Sequence, residues 1–219
     1  MPTTRHCIAA LSLLLTACTP TAYLSLKPDQ GSGTWKDGHE RSVIRQDSLE
    51  VSLGFVRYEG NSMVFDMDIQ NQSERAVLVA PEQFNYTPVA TTLHKGQEYM
   101  PYFPGPVSAI NPEQKLDGLV AAVVYNVRES QRPLVLAGAE YGQQYRMEHS
   151  AAALQAQTQK QDVEARLLRK NTLLPGQGIR GYVYFPRTDE ADVLRLSLPL
   201  RRQPLLLSYR QLRSRQPAY

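Results

Sequence analysis

From Leu49 the chain alternates. Leu49, Val51, Leu53 and Phe55 are apolar, and Glu50, Ser52 and Gly54 stand between them. After Glu59-Gly60-Asn61 the alternation resumes. Phe65, Met67 and Ile69 are apolar, and Asp66, Asp68 and Gln70 are not. A period of two sends successive side chains to opposite faces, so both stretches predict half-buried antiparallel strands with one wet face. Gly60 and Asn61 are turn formers, which makes the pair a hairpin. Asn71-Gln72-Ser73 ends the second strand, and Ala76 to Ala80 starts a third before Pro81. Asp66 and Asp68 point the same way. A calcium site is one reading of that pair, and a solvated strand face is the simpler one. Residues 84–110 are rich in aromatics and proline and read as short strands and loops.

The period then changes. Asn111 is a helix cap, Pro112 suits the first helical position, and Gln114 can complete a capping box. Leu116, Leu119, Val120, Val123, Val124 and Val127 follow at spacings of three and four, which forms one stripe on a helix. Their β-branching lowers helix propensity slightly, but the cap and the stripe outweigh it. Ser130 to Pro133 breaks the helix. A second helix is predicted from near Glu140 to about Lys170, with Tyr141, Tyr145, Ala152, Val163 and Leu167 as its less polar positions. Its stripe is weak, so it is either an exposed arm packed on the first helix or partly disordered. His149 lies on this arm as a solvent-exposed histidine, and neither His39 nor His94 has a partner spaced for a metal.

Gly176-Gln-Gly178-Ile-Arg-Gly181 matches the dinucleotide pattern G-x-G-x-x-G but lacks its context. That pattern needs a strand before it and a helix after it. Here Pro175 precedes, and Tyr182-Val-Tyr184-Phe185 reads as a strand with Gly181, Val183 and Phe185 on one side and the tyrosines on the other. Thr188 to Asp192 reads as an acidic hairpin loop. Leu194, Leu196 and Leu198 alternate with Arg195 and Ser197, and a last strand covers about Leu205 to Arg210.

The start of the chain follows a different pattern. Arg5 supplies a positive charge, Ile8 to Leu15 an apolar run, and Leu15-Thr16-Ala17-Cys18 a small-residue site that ends in cysteine. The run is shorter than the about 20 apolar residues a membrane span needs. The stretch resembles bacterial lipoprotein signals, which implies cleavage between Ala17 and Cys18 and lipidation of Cys18; the plainer alternative is an ordinary secretory signal that happens to contain cysteine. Several acyl chains, each methylene contributing about 0.8 kcal/mol, anchor a protein stably where one does not. Thr19 is not the aspartate linked to inner-membrane retention. The expected place is therefore the outer membrane of the cell envelope, facing the periplasm, with surface exposure left open.

The chain has two cysteines. Cys7 would leave with the signal and Cys18 would be lipidated, so no disulfide, thiol nucleophile or thiolate metal site is expected in the domain. A net charge of +3 over 219 residues is too small to argue for nucleic acid, and no nucleic-acid motif is present. Thr19 to Ser42 is rich in Gly, Pro, Ser, Lys and Asp and reads as a flexible tether spanning about 25–30 Å. Trp35 interrupts it, either docked on the domain or exposed as a contact for a partner. The end of the chain is basic, with Arg201, Arg202, Arg210, Arg213 and Arg215 and no acidic residue among them. That run is either a solvated edge and tail or a contact for anionic lipid head groups.

The expected organisation is a signal peptide over 1–17, a lipidated end and tether over 18–42, a β-sandwich over 43–210 and a basic tail over 211–219. The sandwich carries a helical insertion at about 112–170. The ending Asn171-Thr-Leu-Leu-Pro-Gly-Gln177, Gly181-Tyr-Val-Tyr-Phe-Pro186 and Leu194-Arg-Leu-Ser-Leu-Pro199 resembles the close of an Ig-like antiparallel β-sandwich. With Leu49 to Asn71, Pro81-Glu-Gln-Phe84 and Asn111-Pro-Glu113, the chain is similar to a group of uncharacterised bacterial lipoproteins and, more distantly, to telokin-like extracellular domains. The resemblance implies architecture and carries no activity or site.

No G-x-S-x-G, H-E-x-x-H or S-x-x-K stretch appears, so an enzyme is not the expectation, and no cofactor is expected beyond the covalent lipid. The leading expectation is an anchored interaction or structural module with an envelope protein partner. Its candidate surface is Trp35, the aromatic segment with Tyr99, Tyr102 and Phe103, and Arg201 with Arg202. The alternative is a carrier of a small or lipidic ligand, which requires a concave apolar pocket.

Overall fold

The computed structural model describes residues 23–29, 34–90, 105–133 and 139–214. Strands β1 (Tyr23–Pro28), β2 (Thr34–Lys36), β3 (His39–Gln46), β4 (Leu49–Glu59) and β5 (Ser62–Asn71) come first. Then come β6 (Val77–Val79), β7 (Asn85–Val89) and β8 (Val107–Ser108), helices α1 (Pro112–Ser130) and α2 (Ala139–Arg166), and β9 (Asn171–Leu173). Strands β10 (Gly178–Pro186), β11 (Val193–Leu198) and β12 (Leu205–Ser214) close the chain. One antiparallel sheet has the order β1-β12-β11-β7-β8 and the other β10-β5-β4-β3-β2, while β6 and β9 form a small third ladder. The protein is a β-sandwich with an inserted helix pair.

The alternation fills the core as expected. Leu49, Val51, Leu53, Phe65, Met67 and Ile69 point inward and are buried, facing Leu194, Leu196, Leu198, Leu205 and Leu207 of the opposite sheet. Phe65 makes edge contacts with Phe185 at 5.7 Å and Tyr209 at 5.2 Å between ring centroids. The Tyr209 hydroxyl donates to the Leu53 carbonyl at 2.5 Å, which ties the two sheets through a satisfied buried polar group.

Three boundaries differ from the sequence expectation. The free tether expected over 18–42 contains β1, β2 and the start of β3. Leu26 of β1 is buried in the core, and β1 pairs along β12 from Tyr23↔Ser214 to Pro28↔Tyr209. A short strand borrows its hydrogen bonds from a neighbour, so its own polar composition did not mark it. For the same reason β12 runs on into the expected tail as far as Ser214. The acidic segment Thr188–Asp192 is not a hairpin loop, because β10 and β11 belong to different sheets and it crosses between them. Alternation reveals that a strand has an inner face, but not which sheet it joins.

The sandwich has two distinguishable ends. At one, the Gly60-Asn61 turn receives the Arg187 amide, and Gln211 of β12 bonds to Asp192 and Thr188. Tyr23, paired with Ser214, lies at that end. At the other, the Gln72 amide bonds to Ser48, the Asn71 amide to Gln177, and Arg201 to Ser73.

The glycine pattern at 176–181 is a turn into a strand. Gly176 has φ +79°, and β10 begins at Gly178. The outer edge of β10 is covered by the two ends of the helical insertion. The Ile110 amide donates to the Tyr184 carbonyl and the Leu168 amide to the Tyr182 carbonyl, at 2.8 and 2.9 Å. Gly181 permits this approach, since a Cβ there would stand 2.8 Å from the Leu168 nitrogen.

Candidate functional site

The outer face of the β10-β5-β4-β3-β2 sheet is divided in two. Val64 and Tyr184 form a small apolar area, which the feet of the helices cover with Leu116 and Val163. The rest of that face is polar, and its centre is a buried arginine. Arg41 is 1% exposed and Asp66 3%. Arg41 donates through Nη1 to Asp66 Oδ2 at 2.6 Å and through Nε to Ser52 Oγ at 2.7 Å. Its Nη2 donates to the carbonyls of Ser52 and Asp66. Gly54 sits across the ladder from Arg41, and a Cβ there would meet Arg41 Cγ at 3.0 Å. The glycine makes room for the guanidinium stem.

Asp66 is shared. Arg180 of β10 donates to it through Nε at 3.1 and 3.2 Å and through Nη2 at 2.6 Å. The same Nη2 reaches Asp37 Oδ2 at 2.5 Å in the β2–β3 turn. Two arginines and two aspartates thus balance each other and fold the β2–β3 hairpin over the sheet. Burial by itself would raise the Asp66 carboxyl, but the hydrogen bonds from Arg180 and Arg41, with their charges, hold it below the usual carboxylate range. Its own bonds to Asp66 and then to Asp37 raise the Arg180 guanidinium further above its already high value. Asp66 is therefore not on a solvated strand face, as its alternation with Phe65 and Met67 suggested. It is an ionised group enclosed by two cations.

Beside this network lies an open cleft of about 300 Å³. Trp35 and Lys36 of β2 line it, together with Arg41 and Arg45 of β3 and Glu50 of β4. Lys36 pairs with Asp68 at 3.6 Å and Arg45 with Glu50 at 2.7 Å. Trp35 is docked in a strand, yet its side chain is 69% exposed. Strand pairing thus ends the free tether before Trp35, and the Trp35 side chain stays exposed. The arrangement offers an exposed, large amphipathic side chain at the margin of a charge-balanced cleft. Among the described residues, no group of three or more His, Cys, Asp or Glu side chains converges in a way that could hold a metal ion.

The helices form the second exposed feature. Asn111 Oδ1 accepts the Glu113 amide at 2.9 Å and starts α1 where expected. α2 packs against α1, but the apolar stripe of α1 is only partly used. Val120, Val124, Val127 and Tyr125 of α1 stay exposed, as do Tyr141, Met147 and Leu154 of α2. His149 is in the seam between the helices, not out in solvent. Its Nδ1 donates to Asn126 Oδ1 at 2.9 Å, and its ring lies 4.4 Å from that of Tyr145. The Tyr145 hydroxyl donates to Glu129 at 2.7 Å.

Other expected site residues are dispersed. Ala17, Cys18, Tyr99, Tyr102 and Phe103 lie outside the described residues. Arg201 and Arg202 line a cleft of about 810 Å³ that also holds Arg75, Asp47 and Glu74, and Arg201 Nη2 bonds to Ser73 Oγ at 2.5 Å. Arg210 and Arg213 lie at the opposite end of β12, where Arg210 pairs with Asp29 at 2.7 Å and Arg213 donates to the Asp189 carbonyl. The basic end is thus split between two poles, because Arg201 and Arg202 precede β12 whereas Arg210 and Arg213 lie near its far end. Arg41 and Arg180 were not picked out from the sequence, and Asp66 was singled out only with Asp68, as a calcium candidate or a solvated strand face. The available signals were an aspartate in a strongly apolar strand and a glycine at the facing position of the next strand.

No family model matches the chain, and no curated protein or solved structure matches it.

Proposed function

We propose that this protein is an envelope lipoprotein, anchored through Cys18, that acts as an interaction module. Its partner surface is the cleft beside Trp35. The observation that carries this reading is Trp35 itself, widely exposed at the margin of a cleft lined by Arg41, whose guanidinium is held by Asp66. Tryptophan on a preorganised surface is the residue type on which binding energy concentrates. The charged pairs around it, Lys36–Asp68 and Arg45–Glu50, fit a polar rim that sets orientation more than affinity.

The carrier alternative is the weaker reading. It needs a concave apolar pocket, whereas the space between the sheets is filled by side chains with almost no exposure. Beneath the helices, Leu116 and Val163 meet Val64 and Tyr184 directly.

The test is in-cell crosslinking from a photoreactive residue placed at Lys36, compared with the same probe in a Trp35→Ala background. One dominant envelope protein captured by the first and lost at least tenfold in the second supports the reading. The melting temperature should be unchanged, because Trp35 contributes little to the core. Equal capture in both backgrounds would show that the cleft is not the partner surface.

A further inference from the structure

The helical arm leaves the sandwich at the end where the described chain begins. Along α2, Arg166 meets Tyr182, Val163 meets Tyr184, and Gln159 meets Glu59 at 3.4 Å. These contacts move step by step towards the Gly60-Asn61 turn as α2 is followed back towards its start. α1 behaves likewise. The Ile110 amide holds Tyr184, and Lys115 pairs with Glu59 at 3.4 Å with its ammonium 4.5 Å over the Tyr184 ring. Beyond Glu59 the two helices continue for about 20–30 Å, at 1.5 Å per residue. Tyr23 is at the same end, beside Ser214.

We propose that the outer turns of this arm, around Val124, Tyr125, Val127 and Tyr141, rest on the surface of the bilayer that holds Cys18. The inference depends on the lipid-anchor reading above and adds an orientation to it. Four residues lie between Cys18 and Tyr23, and the five extended steps from one to the other reach at most about 17 Å. A domain held that close, with an arm projecting from its anchored end, brings the arm to the lipid first. The exposed side chains suit that place. Tyrosine is amphipathic and collects at membrane interfaces, and the long side chains of Arg128 and Arg132 can lay their apolar stems along lipid with the charge in the head-group layer. No helix among the described residues is long and apolar enough to cross a membrane, so the contact is interfacial. The arrangement leaves the Arg201–Arg202 cleft at the pole away from the anchored leaflet.

The experiment uses the full-length protein purified from membranes, with one cysteine introduced as Val127→Cys or, at the opposite pole, as Gln203→Cys. With Cys7 removed and Cys18 acylated, only the introduced thiol takes a fluorophore. The acylated mass of the Cys18 peptide is measured first. The protein is then placed in phosphatidylethanolamine–phosphatidylglycerol vesicles containing lipids brominated in their acyl chains. The expected result is quenching at position 127 several-fold stronger than at 203. An acylated protein with equal or no quenching at the two positions overturns the orientation and leaves the anchor standing. Shielding of position 127 from an aqueous quencher without lipid quenching assigns the arm to a second copy or a protein partner, and likewise overturns it. A Cys18 peptide without acyl mass removes the anchor and the orientation together.

Discussion

Burying Arg41 is costly, because an ion taken out of water loses several kcal/mol of hydration that only close partners restore. Asp66 and the Ser52 and Asp66 carbonyls supply those partners. Asp66→Asn keeps the shape and removes the counter-charge, so it should cost about 3 kcal/mol in urea unfolding. Replacing the pair together by apolar residues, as in Arg41→Met with Asp66→Leu, should cost less than the single change, because no charge is left uncompensated. The same pairing has a pH signature. The folded-state pKa of Asp66 is depressed, so its contribution is fully present above the unfolded value of about 3.9 and disappears as pH falls through the folded value. Urea midpoints measured from pH 6 to pH 2 should therefore fall more steeply for the wild type than for Asp66→Asn. Parallel curves would mean that Asp66 does not carry the acid sensitivity.

At the scale of elements, the helical insertion is held by its cap, its feet and the edge of β10. Asn111→Ala removes the acceptor for the Glu113 amide and should cost about 1 kcal/mol. Gly181→Ala places a methyl group against the Leu168 and Arg166 backbone, 2.8 and 2.9 Å away, and should cost about 1–3 kcal/mol as that edge is forced open. Hydrogen exchange separates the two. The cap variant should loosen the first turn of α1, whereas the glycine variant should expose the Leu168 amide. The start of α1 was readable because capping is a local event between neighbours in sequence. The junction at Gly181 was not, because Leu168 comes before β9 in the chain and nothing in the local pattern records that β10 returns beside it.

At the scale of the whole molecule, the anchor is tested by Cys18→Ser, which should abolish the acylated mass and release the protein from membranes in flotation. Retention of the variant in the membrane fraction would show that something other than Cys18 holds it. The sequence by itself determined the class of the fold, since alternation and helical spacing follow from the local geometry of each element. Leu49 to Ile69 declared two strands, and Asn111-Pro112 declared a helix. It also determined that any calcium reading of Asp66 and Asp68 had to compete with ordinary strand polarity. It took the packed fold to decide which sheet each strand joins and that residues 23–29 and 34–42 belong to the domain. It also brought Arg41, Asp66, Arg180 and Asp37 together from four separate stretches and placed the helical arm and Tyr23 at one end. Each of these is a relation between residues far apart in the chain. Such relations are set by how faces bury one another and how charges find partners, and a periodicity that repeats every two or four residues cannot carry them.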